Sequence, residues 1–328
     1  MSISVINKDR LTTNSAKGFA ILAVIIIHLL TIATQQQFST FPQNLVLISI
    51  DQVMRFCVPV FIFISGFGLS LSYQKKEFGT KSFIKKRSLK TLPLYFLWSA
   101  YYIVLSIFIK PWWNVLNSSS VFQLILNGRA DYHLYFVPII LKLYLIFILL
   151  KKLPQKLFKP LLALAILTQL AFYSYFTIKL SLVSDQIQYA NILTWLGYFM
   201  LGMWLASKKK FLSKKTSIFL IILGLLLSIF EAMQVANINN DTIQAMRFTK
   251  LPIFIYSIGI IGFFLTTSSK LIKNKYITWL GINSYLIYLA HPLIIHLFKF
   301  DLSLVPVTPT ILSFIVLIFL SIFIQKKC

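Results

Sequence analysis

The chain has 328 residues, of which 58% are hydrophobic and only 12% are charged, and its mean hydropathy is +0.79. This composition excludes a water-soluble globular domain and is typical of a protein that crosses a membrane many times. The net charge of +24 does not indicate binding to nucleic acid, because the basic residues fall in alternate loops between apolar segments.

Apolar stretches of about 20 residues, each long enough to span a bilayer, recur along the whole sequence. Ten spans are predicted, at residues 17–35, 45–73, 91–109, 132–150, 159–177, 189–206, 216–234, 251–267, 277–298 and 308–324. The first has no small-residue cleavage site and is predicted to be a retained helix rather than a signal peptide. The sequence therefore predicts an all-α polytopic membrane protein with a single domain over residues 1–328.

Lysine and arginine concentrate in every second connecting segment, and segment 74–90 alone has seven. The positive-inside rule places these segments and both termini in the cytoplasm, which requires an even number of spans and agrees with ten. Segment 74–90 can contact anionic lipid headgroups, or it can dock a phosphorylated cytosolic ligand. The abundance of Lys, Ile, Phe and Asn is typical of an AT-rich bacterial gene, so the expected location is a bacterial cytoplasmic membrane.

The first span holds two ionisable residues, Lys17 and His28, which are eleven positions apart. In a helix they are separated by about 16 Å along the axis and share roughly one face, with His28 near mid-membrane. Burial disfavours the imidazolium, so a neutral His28 can accept a proton from a hydroxyl group. His28 is suited to be a general base, although a histidine here can equally form a hydrogen bond to a neighbouring helix.

The second span contains Arg55, whose guanidinium must face a partner, water or a ligand rather than lipid. Asp51, one turn earlier, can form a structural salt bridge with it. In the functional interpretation, Arg55 stabilises a developing oxyanion or orients an acceptor. Pro59 interrupts the helical hydrogen bonding beyond Arg55, and Ser65-Gly66 allows close approach of another chain or a ligand.

Other ionisable residues lie in later spans. A Lys142–Glu231 pair is suggested, because both residues lie deep within predicted helices. His133 and His291 each stand near tyrosine and proline in a predicted helix. The sequence has no Gly-rich phosphate loop and no Cys/His metal spacing, which argues against a P-loop transporter and against a metal cofactor.

Together these elements resemble the acyltransferase-3 family, and the resemblance covers nearly the whole chain. The first-helix motif of that family, an Arg followed by ten residues and a His, is matched by Lys17 and His28, with Lys in place of Arg. Lys lacks the planar fork of Arg for bidentate contact with phosphate or carboxylate. Further matches are Arg55-Phe56, Pro59, Phe61, Phe63, Ser65-Gly66, Lys86-Arg87, Lys90, Leu92-Pro93, His133 to Phe136, Ser284-Tyr285, Tyr288-Leu289 and His291-Pro292.

The resemblance implies a membrane-bound O-acyltransferase that moves an acyl group, usually acetyl, from cytosolic acetyl-CoA to a hydroxyl of a surface carbohydrate. It implies a general base at His28 and an acceptor or oxyanion contact at Arg55. The residues that it implies for the donor phosphates are Lys17, Arg87 and Lys90, and those for the substrate are Ser65, His133, Tyr288 and His291.

The expected acceptor is an exopolysaccharide sugar or its lipid-linked precursor, which makes the polysaccharide synthesis machinery an expected partner. The alternative is a carrier or flippase for a lipid-linked saccharide, with Arg55, Lys142 and Glu231 along the substrate path. No inverted halves are visible in the sequence, which favours the acyltransferase.

Overall fold

The computed structural model describes residues 3–35, 41–109, 120–178, 185–208, 211–239, 242–267 and 274–299, and every regular element in these ranges is helical. The predicted all-α class is therefore confirmed for this part of the chain. The chain divides into two compact units. Unit 1 contains Met1–Lys75 and Leu149–Tyr285, and unit 2 contains Lys76–Ile148 and Leu286–Cys328. The single domain over 1–328 stays a prediction.

The described residues form fourteen α-helices. In chain order they are α1 (Ile3–Gln35), α2 (Phe41–Met54), α3 (Cys57–Lys75), α4 (Thr80–Ile109), α5 (Val121–Asn127), α6 (Phe136–Leu150), α7 (Gln155–Ile178), α8 (Asp185–Ala190), α9 (Leu196–Leu205), α10 (Lys214–Asn239), α11 (Thr242–Ala245), α12 (Leu251–Thr266), α13 (Lys275–Ile282) and α14 (Ser284–Lys299). A 3-10 turn, Ile192–Thr194, precedes α9. Unit 2 contains α4, α5, most of α6 and α14.

Among the described residues, four helical segments are long and apolar enough to cross a membrane: Thr13–Thr31, Leu45–Lys75, Gln155–Thr177 and Lys214–Asn237. Three shorter apolar helices, α6, α9 and α12, coincide with further predicted spans. The predicted span at 308–324 lies outside the described residues. The chain is thus a membrane protein, while the count of ten spans and the cytoplasmic side of both termini stay predictions.

The predicted second span, 45–73, is two helices rather than one. α2 ends at Met54 and α3 begins at Cys57. Pro59 has no N–H to donate to the carbonyl of Arg55, four residues earlier, so the helical ladder is interrupted there. The interruption places Arg55 at the junction of the two helices, where its backbone leaves the regular helical path.

The predicted ninth span, 277–298, is also divided. α13 ends at Ile282 and α14 begins at Ser284. The side-chain amide of Asn283 donates to the carbonyl of Trp279 at 2.9 Å and thereby caps the end of α13. The helix therefore ends at this residue, just before α14, which carries His291.

In unit 1, α3 and α9 pack directly on each other through two glycines. A Cβ atom on Gly66 would meet the backbone carbonyl of Phe199, and one on Gly202 would meet the backbone carbonyl of Phe63. The close approach predicted at Ser65-Gly66 is therefore an approach of chain to chain. Small residues serve the same purpose at helix interfaces within membranes generally.

Gly66→Ala is expected to lower the free energy of unfolding by roughly 1–3 kcal/mol, since the added methyl group must push two backbones apart. Gly68→Ala is the matched control on the same helix, because no atom lies within 4 Å of its Cβ position. Thermal unfolding of the two purified variants in one detergent measures the difference. Equal melting temperatures for the two variants would contradict the contact.

Candidate functional site

Lys17 and His28 both lie on α1, and both side chains are half-buried. The helix is continuous between them, so the predicted spacing of about three turns is retained. α1 packs on α13 and α3, and Gly18 meets the backbone carbonyl of Ile277 at the first of these contacts. The two predicted functional residues are thus carried by one firmly packed, membrane-spanning helix.

Arg55 forms the predicted salt bridge with Asp51. Its Nε and Nη2 donate to the two carboxylate oxygens at 2.7 and 2.6 Å, which is the bidentate geometry that makes such pairs strong. Arg55 is 4% exposed and Asp51 is 0% exposed. The guanidinium carbon also lies 4.5 Å from the ring centroid of Phe248, within the range of a cation–π contact. The position of the guanidinium is therefore fixed from two sides.

A chain of polar contacts continues from Asp51 through unit 1. The side-chain amide of Gln52 donates to Asp51 at 2.9 Å, and the hydroxyl of Ser228 donates to the amide oxygen of Gln52 at 2.5 Å. The ammonium of Lys250 donates to the carbonyls of Ala245 at 3.1 Å and Ser228 at 3.5 Å. These contacts join α2, α10 and the beginning of α12 beside Arg55. The sequence interpretation missed them.

Within unit 1, Glu231 has a partner other than the suggested Lys142, which lies in unit 2. Glu231 instead accepts a hydrogen bond from Arg247 at 2.9 Å, and Arg247 also donates to Thr177 at 3.1 Å. The side chain of Lys142 is exposed. Arg247 and Lys250 stand just before α12 and are both fully buried, because Glu231 and backbone carbonyls supply partners for them.

Ser65, a predicted substrate contact, lies half-buried on α3. Its neighbour Gly66 is buried against α9. Helical geometry turns successive side chains by about 100°, so Ser65 points to a different side of α3 from the glycine contact. Ser65 is therefore held at a fixed position by the packing of the residue next to it.

In unit 2, Arg87 and Lys90 occupy the basic first half of α4. The guanidinium carbon of Arg87 lies 5.4 Å from the ring centroid of Tyr144 and 5.7 Å from that of Phe83. Lys90 is exposed. Partial desolvation is the largest cause that lowers the pKa of Lys90, and the positive charges of Arg87 and Lys86 lower this pKa further. An anionic group bound here would relieve this repulsion.

Three predicted substrate residues, His133, Tyr288 and His291, come together in unit 2 although they are far apart in the sequence. The ring centroid of His133 lies 5.2 Å from that of Tyr288 and 5.3 Å from that of His291. The ring of Tyr102 packs edge to face on His133 at 5.3 Å. His133 and His291 are both buried. We call these four residues the imidazole cluster.

Hydrogen bonds hold the backbone of the imidazole cluster. The hydroxyl of Tyr288 donates to the carbonyl of His133, and the hydroxyl of Tyr102 donates to the carbonyl of Leu289 at 2.7 Å. A carboxylate oxygen of Asp131 lies 3.9 Å from Nδ1 of His133. The sequence interpretation missed Tyr102 and Asp131, although Asp131 stands only two residues before the histidine.

The described side chains at these sites offer nitrogen and oxygen groups that suit proton transfer and anion binding. Within the part of the chain that the structure describes, no group of three or more His, Cys, Asp and Glu could hold a metal ion. Lys17, Arg87 and Lys90 each carry a positive charge that suits an anionic donor molecule.

The acyltransferase-3 family model, described as an acyltransferase domain, matches residues 13–325, which is nearly the whole chain. No curated protein and no solved structure matches the chain significantly. The matched range contains every predicted site residue in both units.

Proposed function

This chain belongs to the acyltransferase-3 family and is a membrane acyltransferase, and we propose that it transfers an acetyl group from cytosolic acetyl-CoA to a carbohydrate hydroxyl. The proposed acceptor is a sugar of a cell-surface polysaccharide or exopolysaccharide, or its lipid-linked precursor. The proposed location is a bacterial cytoplasmic membrane, with the polysaccharide synthesis machinery as a partner. The observation that carries the proposal is a half-buried His28 on a spanning helix, eleven residues after Lys17.

In the proposed reaction, His28 acts as the general base. It removes the proton from the acceptor hydroxyl while the oxygen attacks the thioester carbonyl, so that a carbon–oxygen bond forms. The tetrahedral intermediate then collapses, the carbon–sulfur bond breaks, and the imidazolium returns its proton to the departing thiolate of coenzyme A. A neutral imidazole is regenerated at each turnover.

Arg55 is proposed to stabilise the negative oxygen of this intermediate or to hold the acceptor. Asp51 takes two of the N–H groups of the guanidinium, and the others are assigned to the substrate. The Asp51 contact and the ring of Phe248 orient the guanidinium before substrate binds. An oriented charge in a buried site stabilises a developing charge more than the same group does in water.

In unit 2, the donor phosphates are assigned to Arg87 and Lys90, and the same role is proposed for Lys17 of unit 1 from the family motif alone. The ring contacts of Arg87 hold its planar guanidinium at one position, whereas Lys90 adds a mobile point charge one turn later. Lys17 stands where the family has arginine, so it attracts a phosphate without the bidentate geometry.

In unit 2, the acceptor is assigned to His133, Tyr288 and His291, and the same role is proposed for Ser65 of unit 1 from the family motif alone. Because Tyr288 gives its hydroxyl proton to the carbonyl of His133, it offers the acceptor an oxygen lone pair and an aromatic face. The two imidazoles of the imidazole cluster supply further hydrogen-bonding nitrogens. Such groups suit a sugar, which carries many hydroxyls and apolar C–H faces.

The proposal is tested by following labelled acetyl from acetyl-CoA into membrane-associated carbohydrate, together with thermal unfolding of the purified protein in the presence of coenzyme A. We expect label transfer, and we expect a rise in melting temperature that corresponds to about 2.7 kcal/mol at 100-fold excess over the dissociation constant. Arg87→Gln should reduce this rise, whereas Lys81→Gln, a charge change on the same helix, should retain it.

A carrier for a lipid-linked saccharide is the second candidate function, because Arg55 and Lys250 are buried charges and Glu231 is a half-buried one in a membrane protein. The same experiment separates the two. A carrier would show no label transfer and no protection by coenzyme A, and its melting temperature would rise with the saccharide lipid alone.

A further inference from the structure

Pro292 removes a hydrogen-bond donor from the interior of α14. In a regular helix, the N–H of residue 292 would donate to the carbonyl of Tyr288, four residues earlier. Proline has no N–H, so this carbonyl needs another donor. A carbonyl without a donor is strongly unfavourable at membrane depth, and side chains commonly supply the missing bond there.

The imidazole of His291 supplies the donor. Its Nδ1 lies 2.8 Å from the carbonyl oxygen of Tyr288, a normal hydrogen-bond distance that would be a clash for a ring carbon. A carbonyl oxygen can only accept, so Nδ1 carries a proton. His291 is 3% exposed, and in a neutral imidazole only one of the two ring nitrogens carries a proton. The ring lone pair is then on Nε2.

The surroundings fix the orientation of this ring. Its centroid lies 5.3 Å from that of His133, with the planes at 76°, and 6.0 Å from that of Tyr288. The carbonyl of Leu289 is satisfied by Tyr102 at 2.7 Å. The carbonyls of Tyr288 and Leu289, which precede Pro292 in α14, therefore each accept a hydrogen bond from a side chain of the imidazole cluster. The helix interruption at the proline is thus bonded directly to the cluster.

We propose that Pro292 is a positioning residue that holds His291 as the Nδ1–H tautomer, so that Nε2 accepts a hydrogen bond from a hydroxyl of the carbohydrate acceptor. The second part of this inference rests on the proposed function, because the acceptor is the substrate named there. The Nδ1–H tautomer fixes the direction of the hydrogen bond, so that Nε2 of His291 accepts and the sugar hydroxyl donates. Recognition of a hydroxyl by a fixed acceptor discriminates against an analogue that lacks it.

Two substitutions at His291 separate the roles of its nitrogens. In His291→Gln, the side-chain oxygen can reach the position of Nε2, whereas in His291→Asn the amide can reach only the position of Nδ1. We expect His291→Gln to retain transfer with less than a tenfold rise in the KM for the acceptor. We expect His291→Asn to raise that KM by well over tenfold, with the KM for acetyl-CoA unchanged. Wild-type kinetics in His291→Asn would show that the ring only caps the helix, and would overturn the substrate contact.

Pro292→Ala tests the positioning role. It restores an N–H that can donate to Tyr288, so Nδ1 of His291 is released and the ring can take either tautomer. The imidazole nitrogens of protein labelled with ¹⁵N-histidine should show a protonated Nδ1 and an unprotonated Nε2 at His291, assigned with His291→Asn. Pro292→Ala should mix the two tautomers and raise the acceptor KM several-fold.

Pro160→Ala is the matched control, since Pro160 is also inside a helix, in α7 of unit 1, and should change neither the spectrum nor the KM. An unaltered His291 spectrum in Pro292→Ala would overturn the positioning role. The spectrum is independent of catalysis, so it decides this role even for a protein that transfers no acetyl. Failure of the wild type to transfer label would instead overturn the proposed function, and with it the contact to the acceptor.

Discussion

His28→Ala is expected to reduce acetyl transfer by about 10²–10⁴-fold, which is the usual contribution of a general base. The reason is that the acceptor hydroxyl remains protonated at neutral pH unless a group beside it removes the proton. The measurement is the initial rate of label transfer from acetyl-CoA at matched protein levels in the membrane.

Thr31→Val is the matched control for His28→Ala, because it also removes a polar group from α1. The hydroxyl of Thr31 donates to the carbonyl of Ile27 in its own helix at 3.0 Å, so the change should leave the rate nearly unaltered. Protection by coenzyme A should be the same in His28→Ala as in the wild type, because the donor phosphates are assigned to other residues. A His28→Ala protein that transfers acetyl at the wild-type rate would remove this residue from the mechanism.

The sequence was sufficient to predict features that depend on local chemistry. The salt bridge between Asp51 and Arg55 follows from their spacing of one helical turn, and it forms. The interruption next to Arg55 follows from Pro59, which lacks the N–H that a continuous helix needs. The division at Asn283 was not predicted, although Gly281, Asn283 and Ser284 are residues typical of helix ends and provided the signal.

Features that depend on packing between residues far apart in the sequence could not be predicted from the sequence. The partner of Glu231 is Arg247, and only the packed unit shows that Arg247 is buried. His133 and His291 were each selected from local motifs, but their contact depends on the arrangement of α4, α6 and α14. The tautomer of His291 depends on a single 2.8 Å distance to a backbone oxygen, which no periodicity in the sequence encodes.

Separating Arg55 from Asp51 should destabilise the protein by about 3–5 kcal/mol, the usual cost of leaving one partner of a buried ion pair alone. Asp51→Leu should be the more damaging change, because arginine cannot give up its charge whereas a lone carboxyl group in Arg55→Met can bind a proton. Thermal unfolding in detergent of the two single variants and of the double variant Asp51→Leu/Arg55→Met measures these effects. The double variant should recover most of the stability, since replacing both buried charges with apolar groups is often neutral.

Transfer activity of the double variant then distinguishes a structural arginine from a functional one. If Arg55 acts on the acceptor or the oxyanion, the double variant is folded but transfers acetyl at least about 10²-fold more slowly than the wild type, as loss of an oxyanion donor does in other enzymes. A double variant with both wild-type stability and wild-type rate would assign the pair to the fold alone. The proposed chemistry would then depend on His28 without help from this guanidinium, and the buried network from Asp51 to Lys250 would be a device for packing α2 against α10.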